Sequence, residues 1–472
     1  MTTPAPASAP ASAPASSSFD SPKGRRQLAA MTRLLEHVAP KLRTRISMRL
    51  WDGSVVPLGE DTVPGLEISL AGPGVIGALL RRPSADNMLR LYARGHIDFH
   101  GADLYSFLKT ARVKSSKKKV RSVSKALVAK SLLPFLTAKA SDVEVDHCFA
   151  GDETGLKRQS GDNKDFIQFH YDVGNDFYKL FLDEEMLYSC AYFTDWNNTL
   201  EQAQFDKLDM ICKKLMLQQG DRYLDIGCGW GALVCHAARH YGVTAHGITL
   251  SQEQLDYAQA KVDRLGLSDR VTLELRDYND FGPEFDGAFD KVSSIGMVEH
   301  VGIDNMRGYM QIVARLMTDR GLFLNHGITR PGKRSAKAFR RMTPERRLLA
   351  KYIFPGGELD HLGHMIEATE GAGFEVHDSE GWRDHYALTC RLWSQRLSAH
   401  REQAVAAIGE EKYRMWMLYL VGCAFAFEDG SARIFQTVAT RHRAKGHSGT
   451  PPTREHLYAA GSPQHTASRK AA

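Results

Sequence analysis

Tyr223-Leu224-Asp225-Ile226-Gly227-Cys228-Gly229-Trp230-Gly231 is the stretch on which the fold turns. An apolar strand runs into three glycines, and a helical pattern follows over 232–240. Glycines let the backbone take conformations barred to other residues and come close to a ligand, so the turn suits a cofactor cradle as well as a plain strand-to-helix turn. Its spacing, Asp-x-Gly-x-Gly-x-Gly, departs from the Gly-x-Gly-x-x-Gly of dinucleotide enzymes, and no P-loop Lys-Ser or Lys-Thr follows. Roughly 20 residues on, where an acidic side chain would take the ribose of NAD, stands Thr249 in Gly247-Ile248-Thr249-Leu250-Ser251. Both departures speak against NAD.

Outward from this turn, strands are expected at 222–226, 244–248, 271–275, 289–295 and 321–326, alternating with helices at 232–240, 252–265 and 306–316. Such alternation predicts an α/β fold with a mostly parallel sheet covered by helices on both faces. Beyond Pro331 the pattern becomes helical, with helices expected at 343–351, 361–370 and 387–407. Upstream, alternation at 46–50, turn chemistry at Asp52-Gly53, strands at 55–58, 66–70 and 96–99, and helices at 75–80 and 85–93 predict a small α+β domain. The expected organisation is a disordered tail over 1–22, the small domain over 23–150, a linker over 151–165, the α/β domain over 166–443 and a polar tail over 444–472.

At 472 residues, 43% hydrophobic and 25% charged, the chain has globular composition and room for two or three domains. Seven cysteines without zinc-ligand spacing, and an N-terminus lacking the basic and apolar regions of a secretory signal, suit a reducing cytoplasm. The longest apolar run, Met415 to Phe427, is too short to cross a bilayer, which takes about 18 residues or more. His361 and His364 lack partners at metal-ligand spacing, and no metal is expected. Net charge is +6 and the pI near 8.8, with basic residues gathered between Lys109 and Lys130. That segment suits an anionic surface, a phospholipid leaflet or nucleic acid, or equally a solvated face.

Several ordered motifs then carry a resemblance. The glycine turn resembles the first motif of class I methyltransferases, a Rossmann-like fold that binds S-adenosylmethionine. His170-Tyr171-Asp172-Val173-Gly174-Asn175-Asp176-Phe177-Tyr178, Tyr188-Ser189-Cys190-Ala191-Tyr192-Phe193, Ser294-Ile295-Gly296-Met297-Val298-Glu299-His300, Phe354-Pro355-Gly356-Gly357 and His385-Tyr386 resemble the cyclopropane-fatty-acyl-phospholipid and mycolic acid cyclopropane synthases over about 166–440. The resemblance implies cofactor contacts at Tyr188, Ser189, Asp225, Gly227, Gly229, Gly231, Thr249, Gln254, Tyr278 and Asn279. It also implies a bicarbonate ion as catalytic base, held by Cys190, Glu299, His326, the backbone N–H of Ile328, and Tyr386. The implied reaction moves a methylene from S-adenosylmethionine to the cis double bond of a phospholipid acyl chain. The implied setting is cytoplasmic, peripheral to the membrane's inner face, with a homodimer among the arrangements allowed.

The chemistry asks for such residues. An alkene is a weak nucleophile that must be aligned in a dry site, and methyl transfer leaves a cation that water would trap. Anionic groups and aromatic faces such as Tyr188, Tyr192 and Phe193 suit that cation, and Glu299, His326 and Tyr386 are types able to hold a small anionic base. Taken singly, each has an ordinary reading: Glu299 a surface carboxylate, His326 a satisfied histidine, Cys190 and Tyr386 core. Loss of a different proton would give a methyl or methylene branch, and a noncatalytic lipid- or cofactor-binding module is a further alternative. No base-methylation motif points to nucleic acid.

Overall fold

A computed structural model of the chain describes residues 21–42, 44–111, 123–140, 143–147, 170, 173–442 and 446–458. The expected N-terminal tail up to residue 20, the linker over 151–165, residues 112–122 of the basic segment, and residues 444–445 and 459–472 of the C-terminal tail lie outside them. The chain divides after Asp146 into two compact units.

The first unit holds strands β1 (Ser47–Arg49), β2 (Val55–Pro57), β3 (Glu67–Leu70) and β4 (Ile97–His100) in the order β2-β1-β3-β4. β1 runs antiparallel to β2 and parallel to β3, and β4 returns antiparallel to β3. A helix at Pro22–Val38, which the sequence reading did not include, covers this core. Ser21 caps it by accepting the Gly24 N–H, and Met31, Leu34 and Leu35 are its buried stripe.

The second unit is built on seven strands: β5 (Arg222–Ile226), β6 (Thr244–Thr249), β7 (Val271–Leu275), β8 (Phe289–Ile295), β9 (Met317–Thr329), β10 (Phe374–Gly381) and β11 (Arg433–Arg441), in the order β10-β11-β9-β8-β5-β6-β7. Neighbours from β7 across to β9 are parallel, and β11 alone runs against both its neighbours. Two apolar clusters fill the two sides, one around Val234, Ala237 and Val262, the other around Val298, Met310 and Val313. The mostly parallel α/β sheet is as expected.

The region beyond Pro331 differs from the helical expectation, because β10 and β11 add an edge to the sheet. In β10 only Phe374 is buried, so its alternation is weak. In β11 Gln436, Thr437, Thr440 and Arg441 are buried polar residues that hide a central strand from a hydrophobicity reading. The helix expected over 387–407 is two, Arg383–Ala399 and Arg401–Ile408. Met415 to Phe427 forms part of a helix at Glu410–Glu428 whose Trp416 is fully buried among aromatic rings. Within 446–458 a short helix, Glu455–Tyr458, buries Leu457, and Arg454 pairs with Asp378.

Candidate active site

Strand order reverses at β5, which lies between β6 and β8, and at such a switch point the carboxyl ends of the strands part to leave a crevice. A cleft of about 930 Å³, measured out to its open mouth, occupies that position. The glycine turn is its floor. Gly227 sits at φ +81, and a Cβ there would lie 2.4 Å from Met297 Sδ. Gly229 is at φ +55, and a Cβ there would meet nothing within 4 Å, which leaves the space open for a ligand.

Asp225, at the end of β5, is buried on the cleft wall and accepts a hydrogen bond from Ser293 Oγ. Burial pushes its carboxyl up to about 6 against the pull of Ser293 and the charge of Lys207. Thr249 closes β6, and its Oγ1 donates to Gln254 Oε1 at 2.8 Å, leaving the amide N–H₂ outside that pair. Tyr278 is buried rather than exposed, edge-on to Tyr309 at 4.8 Å between centroids. With Tyr188 and Ser189 on the opposite wall, eight of the ten expected cofactor contacts line one cleft. Gly231 and Asn279 do not. Gly231, at φ +80, lets two helices close, since its Cβ would fall 2.9 Å from that of Ala258, and Asn279 is exposed with its N–H on Asp277.

Lys207, absent from the sequence reading, also lines the cleft. It is 1% exposed, and its Nζ donates to Ser189 Oγ at 2.8 Å. Burial draws its ammonium down to about 8, against the opposing carboxylates of Asp183 and Asp225. It belongs to the helix Leu200–Lys214, whose Lys214, two turns on, is buried as well.

The five expected anion-holding residues do not line this cleft; Cys190, His326 and Tyr386 meet at Trp382, and Glu299 pairs with Ile328 two residues beyond His326 on β9. The His326 ring meets Trp382 edge-on at 5.2 Å, Cys190 Sγ lies 3.8 Å from the Trp382 carbonyl, and Tyr386 follows one helical turn after Trp382 and donates its N–H to that carbonyl. Glu299 joins from the short helix Val298–Val301, accepting the Ile328 N–H through Oε1 at 2.5 Å. The Ile328 N–H expected to face an anion is therefore committed to Glu299. Burial raises the Glu299 carboxyl to about 7, despite that hydrogen bond. Burial also holds the Cys190 thiol well above its ordinary value, which makes it a neutral S–H rather than a nucleophilic thiolate.

A buried chain fixes the protonation of His326. Lys214 Nζ pairs with Glu380 and donates to Gln436 Oε1 at 2.8 Å, while Gln436 Nε2 lies 3.0 Å from His326 Nδ1. An ammonium only donates, so the amide oxygen faces Lys214 and the amide N–H₂ faces the ring. Burial and the nearby lysines hold the imidazole neutral. Nδ1 must then accept, and the ring proton sits on Nε2. His326 Nε2 and Glu299 Oε2 are both buried without a hydrogen-bond partner among the described residues. Nε2 is left as a donor and Oε2 as an acceptor, each open to a further polar partner.

Over residues 158–437 the chain matches the family described as mycolic acid cyclopropane synthetase. It is 38% identical to a "Probable fatty acid methyltransferase" of Pseudomonas putida, over 90% of this chain and all of that one. It is also 38% identical to cyclopropane mycolic acid synthase 1 of Mycobacterium tuberculosis, over 57% of this chain and 94% of that one. A solved cyclopropane synthase from Mycobacterium tuberculosis covers 59% of this chain and 98% of its own at 33% identity and a TM-score of 0.55. A mycolic acid cyclopropane synthase complexed with SAH and CTAB covers the same shares at 34% identity and the same TM-score.

Proposed function

The chain belongs to the mycolic acid cyclopropane synthetase family, whose members are S-adenosylmethionine-dependent methyltransferases, and from that premise we propose that it delivers a methylene to the cis double bond of an unsaturated phospholipid acyl chain. The observation that carries this reading is the glycine-floored cleft at the switch point, together with His326 Nε2 and Glu299 Oε2, each buried and without a hydrogen-bond partner among the described residues. When bound, S-adenosylmethionine supplies an electrophilic methyl at its sulfonium, and the alkene that takes it is left positively charged.

The residues meet that demand in turn. The glycine turn and Tyr278 frame the cofactor, and the Thr249–Gln254 pair holds an amide on the wall. Trp382, Tyr192 and His385 form a group of rings, with Tyr192 4.7 Å from Trp382 and 5.0 Å from His385, whose aromatic faces suit a cation. A bicarbonate ion is the base in this reading. His326 would donate to it from Nε2, Glu299 would take its hydroxyl at Oε2, Tyr386 would be a neutral donor, and Cys190, whose S–H faces the Ala191 and Trp382 carbonyls, would close the wall. Peripheral docking on an anionic leaflet completes the proposal; no helix among the described residues is long and apolar enough to cross a membrane.

A second reading is favoured by the Pseudomonas relative, which matches over nearly the whole chain and is described as a fatty acid methyltransferase. In that reading the same site yields a methyl or methylene branch. Incubation with methyl-labelled S-adenosylmethionine and vesicles of monounsaturated phospholipid separates the two. Labelled ring protons by NMR and mass spectrometry support cyclopropanation, labelled branched chains support the second reading, and no labelled lipid refutes both.

A further inference from the structure

The excursion between β9 and residue 353 carries a charge pattern that the reaction itself does not need. Residues 330–351 hold nine lysines and arginines and one acid, Glu345. That excess of eight exceeds the +6 of the whole chain, so the rest of the protein is slightly acidic. Lys333, Arg334, Lys337, Arg340, Arg341 and Arg347 are exposed, and among the described residues only Arg340 of these six has an ion pair, with Asp304. Two short helices, Ala336–Arg340 and Pro344–Tyr352, carry the segment. Buried Phe339, with the Arg330 guanidinium 3.4 Å above its ring, anchors it.

Both ends of the excursion are tied to the active site. It leaves β9 directly after Ile328 and Thr329, and the Arg330 N–H donates to the Asp360 carbonyl. On its return, the Phe354 ring lies 4.7 Å from that of His300 on the cofactor cleft, and the Glu358 N–H donates to the Glu299 carbonyl. We propose that this basic excursion is the surface that docks the enzyme on anionic phospholipid headgroups, setting the rim of the active site against the leaflet that supplies the acyl chain. The inference rests on the lipid reading above. Cations spread over two short helices and their connecting turns suit a diffuse anionic plane, where each contributes separately and salt screens the attraction. A folded acidic protein would call for fixed, bidentate partners.

The test compares the full chain with the variant Lys333→Ser/Arg334→Ser/Lys337→Ser/Arg341→Ser, and with Lys125→Ser/Lys130→Ser as a control in the segment first suspected. Sedimentation with monounsaturated phosphatidylcholine vesicles, with and without phosphatidylglycerol, reads binding. Methyl incorporation into the same lipids dispersed in detergent reads chemistry. The fourfold variant is expected to lose affinity for phosphatidylglycerol vesicles by about a thousandfold, while its melting temperature and its turnover in detergent match the parent. Undiminished vesicle binding overturns the proposal, as does an equal loss in the control. Loss confined to turnover on acyl chains presented by an acidic carrier protein overturns it in favour of a protein partner. A parent chain that binds vesicles through this segment yet labels no lipid in detergent refutes the proposed function and leaves the docking surface standing.

Discussion

Glu299→Gln separates the two things Glu299 does in the fold. The substitution keeps the shape, and its amide oxygen can still accept the Ile328 N–H, so the junction of the short helix with β9 survives. What it removes is ionisation. Burial holds the carboxyl near 7 in the folded chain against an ordinary value of 4.5. A carboxyl raised on folding favours the folded state while protonated; that contribution is complete below about pH 4.5 and drains away as pH rises through 7. At about 1.4 kcal/mol per unit, the loss approaches roughly 3 kcal/mol by pH 8. Glutamine does not titrate, so the variant should match the parent in acid and melt on the order of 5 °C higher at mildly alkaline pH. Asp225 and Asp183, also pushed up to about 6 by burial, titrate in both proteins and cancel in the difference. Turnover should fall by about 10²–10³ with cofactor affinity kept, since a carboxyl that arranges the base would be gone. Melting curves across pH, calorimetric cofactor binding and label incorporation read the three outcomes. A variant less stable than the parent at alkaline pH, or one with full turnover, refutes the reasoning.

Gln436→Glu should reverse the hydrogen bond to His326: a carboxylate accepts from Lys214 and from Nδ1–H alike, which moves the ring proton off Nε2. Nitrogen NMR of the ring should show the tautomer change, and turnover should fall about a hundredfold; an unchanged ring spectrum sinks the assignment. Gly227→Ala, at φ +81 with Met297 Sδ in the way, should abolish cofactor binding, whereas Gly229→Ala, with open space around its Cβ, should fold with a left-handed cost of about 1–2 kcal/mol and bind more weakly. Equal calorimetric affinities for the two would contradict the proposed floor. Lys207→Met removes the donor to Ser189 and the charge beside Asp225. It should weaken cofactor binding by about tenfold or more, and an unchanged dissociation constant would make Lys207 a purely structural residue.

The parallel half of the sheet was legible because short strand-like segments alternate regularly with helices that carry their own starts and stops. The helix Gln252–Leu265 begins on Ser251, which accepts the Gln254 N–H, and ends on Gly266 at φ +66. β11 was not legible for the same reason that it matters. It places Gln436 opposite His326 in register, and the polar residues that break its pattern serve the site and the sheet junction. The helix Pro22–Val38 was missed although Ser21-Pro22 is a start signal, because the proline- and alanine-rich stretch before it drew the reading past it.

The site follows the same logic one level down. Residues that meet the cofactor through glycines or strand ends carry local signatures, so the cleft could be read as a motif. The lysines could not. Lys207 and Lys214 share one face of a helix with Leu200, Gln204 and Ile211, and a sequence reading sends lysines on a helix to solvent. Here they point inward, where each orients a buried polar neighbour: Lys207 donates to Ser189 and Lys214 to Gln436. The chain supplies that orientation internally: Glu380 holds Lys214, Lys214 fixes the amide of Gln436, and Gln436 fixes the proton of His326. A charged residue at a core position of an otherwise apolar helix stripe is therefore the sequence signal that was available. Here it marks the far end of a hydrogen-bond chain whose near end is the His326 ring.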